Sequence, residues 1–312
     1  MSGLRNGLAS TLVGVLFAVG GLAWSRSAHT VPVTPGMGPG EAIVPAESEA
    51  PAGFREDAWF LPDDPLLGFV EVPAGPFLSG SDPARDPMAY DNEVWAGGVS
   101  PMTLELGAYY IGRFEVTVAQ FRAFALASGY GASEESLSGP LDHPVSGVSW
   151  VDALAYCRWL EATLKAWMGT PPELRDRLAE GWRITLPGEA EWEKAARGTD
   201  GRIWPWGDEP SPERANYGGR GTERVGSRDC LGCPWGLSDM SGNVWEWTRD
   251  PFLEGPPTLG DARPDLEADA LWVMRGGSFG DGAQNVRAAL RGGADPGVRR
   301  PFIGFRVALT RR

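Results

Sequence analysis

Downstream of residue 59 the chain alternates short apolar runs with clusters of Gly, Pro, Asp and Asn. FVEVPAGPF at 69–77 predicts a strand, a Pro-Gly turn and a second strand. Residues 79–98 read as loop, and the apolar alternation over 102–114 predicts a further strand. Thr117 is placed to cap a helix over 118–128, with Phe121, Phe124 and Ala125 on one face and Gly129 ending it. Ser149, with Asp152 three residues on, caps a helix from Trp150 to about Met168. Its buried stripe is Ala153, Cys157, Leu160 and Leu164. After a Pro-Pro break come a short amphipathic turn of helix at 173–179, a strand at 183–186 and a helix at 189–197. Glu189, Glu191 and Glu193 lie in the early turns of that last helix, where the dipole favours acids. Residues 203–219 carry turn formers at nearly every step; strands are expected at 271–279, 286–290 and 304–309.

The first 58 residues follow another pattern. Residues 1–28 hold a positive start at Arg5 and an uncharged, weakly apolar run over 8–24. This is the pattern of a signal sequence, either cleaved or kept as a membrane anchor. The run is near the short limit for a span, and no cysteine follows it for lipid attachment. Residues 29–58, rich in Pro, Gly, Glu, Ala and Ser without apolar periodicity, are expected to be a disordered linker. A single folded domain over 59–312 completes the expected organisation, and a secreted or periplasmic location follows from the leader.

Composition sharpens this picture. With 43 Gly and 27 Pro the chain should be rich in turns and poor in long helices, while 14 Trp argue for a real core. A net charge of −13 argues against nucleic acid as a partner, and a membrane is expected only through an uncleaved leader. The two histidines, His29 and His143, rule out a two- or three-histidine metal site built from the folded part alone. His143 reads as a hydrogen-bonded loop residue, since no nucleophile elbow accompanies it.

Two stretches carry candidate chemistry. GLSDMSGNVWEW at 236–247 offers hard oxygens from Asp239, Asn243 and Glu246 around a turn at Gly242, with Trp245 and Trp247 as apolar anchors. Such a set suits one hard cation such as calcium, or only a tight turn whose acids face water. DCLGCP at 229–234 places Cys230 and Cys233 in a CxxC pair. A zinc site lacks its other two ligands, and Pro234-Trp235-Gly236 does not open the helix of a thioredoxin-like centre, so a small disulfide is expected. Cys157, on a helix stripe, reads as a core residue.

Taken together the segments resemble the sulfatase-modifying-factor family, whose founding member is the formylglycine-generating enzyme. The resemblance covers roughly 68–309. It rests on FVEVPAGPF, YYIGRFEVTVAQFRAF, HPVSGVSWVDALAYCRWL, LPGEAEWEKAARG, WPWGDE, the Asn216 pair, the GNVWEW block, MRGGSF, and RAALR leading to GFRVAL. It implies an α+β fold, a single compact loop-rich domain related to C-type lectins, with bound calcium. In one calcium site, Asp239 and Glu246 would give side-chain oxygens and Gly242 and Val244 backbone carbonyls. A second would start at Asn216 and the Tyr217 carbonyl, but the loop GGRGTERVGSRD offers no acid at the matching place.

The family's oxidase holds copper with two thiolates just after the GGS turn, and Cu(I) prefers sulfur. Here Asp281 and Val286 stand at those positions, so copper is not expected. Ser278, Arg287 and Arg291 match positions near the family's catalytic centre; for the arginines, pairing with interior acids is the expected role. A protein or peptide ligand in the groove by Ser278 and Asp281 is the expected function. The alternatives are a formylglycine-generating oxidase with unusual ligands, and a non-heme iron enzyme of the kind whose histidines come from another domain.

Overall fold

A computed structural model describes residues 50–95, 100–259 and 270–311. The elements in chain order are β1 (Phe54–Arg55), β2 (Leu61–Pro62), β3 (Phe69–Val72), β4 (Gly75–Ser79), β5 (Met102–Leu106), β6 (Tyr109–Gly112), α1 (Val118–Ser128) and α2 (Trp150–Ala166). They continue with α3 (Pro172–Ala179), β7 (Arg183–Thr185), α4 (Glu189–Arg197), β8 (Trp245–Pro251), β9 (Trp272–Arg275), β10 (Gly292–Ala294), β11 (Ile303–Gly304) and β12 (Ala308–Thr310). The class is α+β, as expected. One four-stranded sheet has the order β3-β6-β12-β7 and the other β10-β9-β8-β11, with β4-β5 and β1-β2 as separate pairs. All pairings are antiparallel except β11 with β8.

The helices form where the caps predicted them. Thr117 and Gln120 exchange side-chain-to-backbone hydrogen bonds at the start of α1, and Ser149 and Asp152 do the same for α2. Gly129 ends α1 at φ +68°, a conformation that costs glycine little. The stripe Ala153, Cys157, Leu160 and Leu164 is buried and joins Phe121, Phe124, Trp150, Trp247 and Phe305 in the main core. Burial pushes the Cys157 thiol well above its ordinary pKa, which suits an inert core residue.

Two expectations change. Residues 50–58, assigned to the linker, belong to the folded unit: Ala50 packs against the Phe60 cluster, β1 pairs with β2, and Ala58 is fully buried. The rest of that linker, residues 29–49, and the leader at 1–28 lie outside the described residues. The strands expected on either side of the turn at 73–74 form, β3 pairing with β6 and β4 with β5. The strand expected at 286–290 is absent; a 3-10 turn over Ala283–Val286 leads into extended chain, and the strand falls later, at β10. The reason lies in who satisfies that backbone. Ser241 Oγ donates to the Val286 carbonyl, Ala288 N–H donates to Ile203, and the Arg275 guanidinium donates to the Ala288 and Ala289 carbonyls.

Candidate functional site

Two glycine turns bring the singled-out residues to one end of β8 and β9, the inner strands of the β10-β9-β8-β11 sheet. The first, over 239–244, leads into β8 with Asp239, Gly242 and Asn243 at φ +56°, +79° and +62°. Gly242 is obligatory, since a Cβ there would lie 2.2 Å from the Asn216 carbonyl oxygen. Asp239 Oδ2 accepts the Gly226 N–H at 2.6 Å. Glu246, fully buried, binds Arg306 through both oxygens at 2.6 Å and accepts Trp192 Nε1–H at 2.7 Å.

A third acid, Glu115, completes this cluster, and the sequence reading did not single it out. It is 1% exposed, and neither of its carboxylate oxygens has a hydrogen-bond partner. Burial and then the nearby Asp239 raise its pKa well above the ordinary value. Burial likewise pushes Asp239 up to about 6, against the Gly226 N–H and Arg306. Three buried carboxylates thus share one guanidinium.

The Asn216 loop is closed by the protein itself. Asn216 Nδ2 donates to the Gly221 carbonyl and to Asn243 Oδ1, each at 3.1 Å, and the Glu223 N–H donates to the same Asn243 oxygen at 2.9 Å. Glu223 of this loop pairs with Arg228 at 2.5 Å. Tyr217 packs with Ile203, Trp204 and Val286. His143, facing the same loop, shares a 2.9 Å hydrogen bond with Thr222.

The second turn, Gly276-Gly277, follows β9. A Cβ at Gly277 would lie 2.2 Å from the Asn285 carbonyl oxygen, so glycine is required there too. The turn brings Ser278 and Asp281 together. One oxygen of Asp281, Oδ2, accepts from Ser278 N at 2.9 Å, Ser278 Oγ at 2.7 Å and Trp245 Nε1 at 3.0 Å. Asp281 is half-buried, and Ser278 nearly buried. Val286 is fully buried against Ile203 and Trp204.

Arg287 and Arg291 are spent elsewhere. Arg287 binds Asp86 at 2.5 Å and both oxygens of Glu93 at 2.6 Å. Arg291 grips Glu189 at 2.5 and 2.9 Å between the rings of Trp95 and Phe252. The donor set beside the GGS turn is therefore carboxylate, hydroxyl and indole N–H, with no thiolate. It does not fit Cu(I). Cys230 and Cys233 are joined in a disulfide, as expected, with Cα atoms 5.4 Å apart. A disulfide is the chemistry of an oxidising compartment. Among the described residues no helix is long and apolar enough to cross a membrane.

Comparison with known proteins places this geometry. The formylglycine-generating enzyme of Thermomonospora curvata is 29% identical over 79% of this chain and 95% of its own length. Hercynine oxygenase of Mycolicibacterium smegmatis is 29% identical over 77% of the chain, which spans only 60% of that oxygenase. The inactive C-alpha-formylglycine-generating enzyme 2 of Bos taurus is 33% identical over 54% of the chain and 50% of its own length. Among solved structures, Treponema denticola variable protein 1 aligns with a TM-score of 0.58 at 27% identity, covering 77% of this chain and 94% of that one. PvdO from Pseudomonas aeruginosa aligns at 0.62 with 24% identity, covering 78% and 94%, and supports the fold alone. The profile of the sulfatase-modifying factor enzyme 1-like domain matches residues 61–311, and the chain belongs to that family.

Proposed function

We propose that this chain is an extracytoplasmic, calcium-stabilised member of the family that does not oxidise cysteine and instead binds a protein or peptide segment at the groove by Ser278 and Asp281. The observation that carries this reading is the Asp281 carboxylate. It stands where the resemblance puts a copper thiolate, and Ser278 and Trp245 already occupy one of its oxygens. The second thiolate position is the buried Val286. The remaining cysteines are a buried thiol and a disulfide in the loop before β8. The name of the inactive bovine relative supports loss of oxidase activity within the family. The disulfide supports the extracytoplasmic location.

Calcium rests on the charge count of the first turn. With all three ionised, Glu115, Asp239 and Glu246 would exceed Arg306 by two negative charges; burial instead raises the pKa of Glu115 and Asp239, and the bare oxygens of Glu115 are what a divalent cation would satisfy. Asp239 and Glu246 would supply side-chain oxygens, and Gly242 and Val244 carbonyls from the same turn. The ion would neutralise the cluster and tie the turn to β8; no chemical step passes through it. The Asn216 loop, already closed by its own hydrogen bonds, is not proposed to hold a second ion.

The test uses purified protein with Cu(I), oxygen and a peptide carrying a sulfatase-type cysteine motif. Mass spectrometry should show the cysteine unconverted, while the peptide's binding, read by calorimetry, weakens in Asp281→Ala. Formation of the aldehyde would overturn the reading.

A further inference from the structure

We propose that Cys230–Cys233 is an exchange-active disulfide that oxidises a dithiol on a partner protein. Three features of the loop point there. First, the bond spans a sequence separation of three. The restraint a disulfide places on an unfolded chain grows with the loop it closes, so a ring this small is a weak staple. Second, the loop is accessible. Both cysteines are half-buried, Gly232 is exposed, and Leu231 between them is 73% exposed, an apolar tip that a partner can cover. Third, two arginines reach into the loop. Arg202 Nη1 donates to the Gly232 carbonyl at 2.7 Å, and Arg214 Nη1 donates to the Leu231 carbonyl. Each guanidinium thus sits beside a residue adjacent to a sulfur. Positive charge near a sulfur favours the thiolate that leaves when such a bond is attacked.

The neighbouring charges are mixed. Arg202 is also paired with Asp200, Arg228 with Glu223, and Asp229 precedes Cys230. The two arginine contacts are with the backbone inside the CxxC turn, so they persist whichever cysteine is released. Cys157 takes no part, being buried with its pKa raised.

The step balances without another reagent. A partner thiolate attacks one sulfur, the Cys230–Cys233 bond breaks, and a mixed disulfide forms as the other cysteine leaves as thiolate. The partner's second thiol, after losing its proton, attacks the mixed disulfide. The products are a partner disulfide and the reduced Cys230/Cys233 pair; two electrons and two protons pass from partner to this chain.

The experiment takes the full oxidised chain and a synthetic dithiol peptide under anaerobic conditions. Mass spectrometry should show one peptide disulfide formed per chain, with free thiols appearing at Cys230 and Cys233 and the circular dichroism unchanged. The Arg202→Gln/Arg214→Gln variant should slow the exchange about tenfold. Cys230→Ser/Cys233→Ser should abolish it while keeping the melting temperature within a few degrees. A disulfide that yields to the peptide only after denaturant is added would overturn the proposal. So would a Cys230→Ser/Cys233→Ser variant that loses its fold, because the bond would then be a staple.

Discussion

Two buried charge clusters flank β8 and β9, and they are balanced differently. Around α4, Glu189 meets Arg275 and Arg291, Glu193 meets Arg197 and Arg275, and Glu191 meets Arg249. Every acid there meets at least one arginine, and the one unpartnered polar atom among these groups is a donor, Arg275 Nε, not a carboxylate oxygen. Around the turn at 239–244, three acids face one arginine, and Glu115 has no donor. Burial of a charge is tolerated when it is paired and is costly when it is not. A self-paired cluster is part of the scaffold; a cluster with excess charge of one sign asks for something from outside.

The comparison is sharpened most by removing the one arginine that two buried acids share. Arg287, which binds both Asp86 and Glu93, should be intolerant of Arg287→Met. Chemical denaturation should show a loss of about 3–5 kcal/mol, since two acids remain buried without their partner.

The unbalanced cluster should respond instead to chelation. Adding EGTA should lower the melting temperature by several degrees, restored by calcium; a ligand at about 100 times its Kd contributes about 2.7 kcal/mol. Glu115→Gln should shrink that shift. A melting curve indifferent to EGTA would remove the distinction drawn between the two clusters.

The smallest effect concerns Asp250, which accepts the Glu189 N–H at the start of α4. Burial pushes its pKa up to about 6, Arg249 only partly opposing. The native state therefore holds a proton that the unfolded chain releases between about pH 4 and 6. This contribution to stability is present at the acid end of that window and falls as pH rises through it, by roughly 2 kcal/mol. Denaturation midpoints across pH 4–7 should show the slope in the parent and a flatter profile in Asp250→Asn.

Local chemistry was legible in the residues. Thr117 and Ser149 start helices because a capping side chain needs only its own next turn, and Gly129 ends one because αL is a property of a single residue. The stripe Ala153, Cys157, Leu160 and Leu164 announced a buried face by spacing alone. The absence of thiolates at 281 and 286 is likewise a fact of residue identity, and the CxxC pair is close enough in sequence to bond.

What only the tertiary structure decided depends on groups far apart in the chain. The acids of α4 read as dipole partners at a helix start, yet Arg275 and Arg291 arrive from β9 and the segment before β10 to bury them. Residues 286–290 have the pattern of a strand, but Arg275, Ser241 and Ile203 take their backbone groups first. Glu115 precedes a helix cap in sequence, and nothing local shows that it will be buried near Asp239 and Arg306. Hydrogen bonds within a turn are set by neighbours; the balance of a buried charge is set by whichever distant side chains the fold delivers.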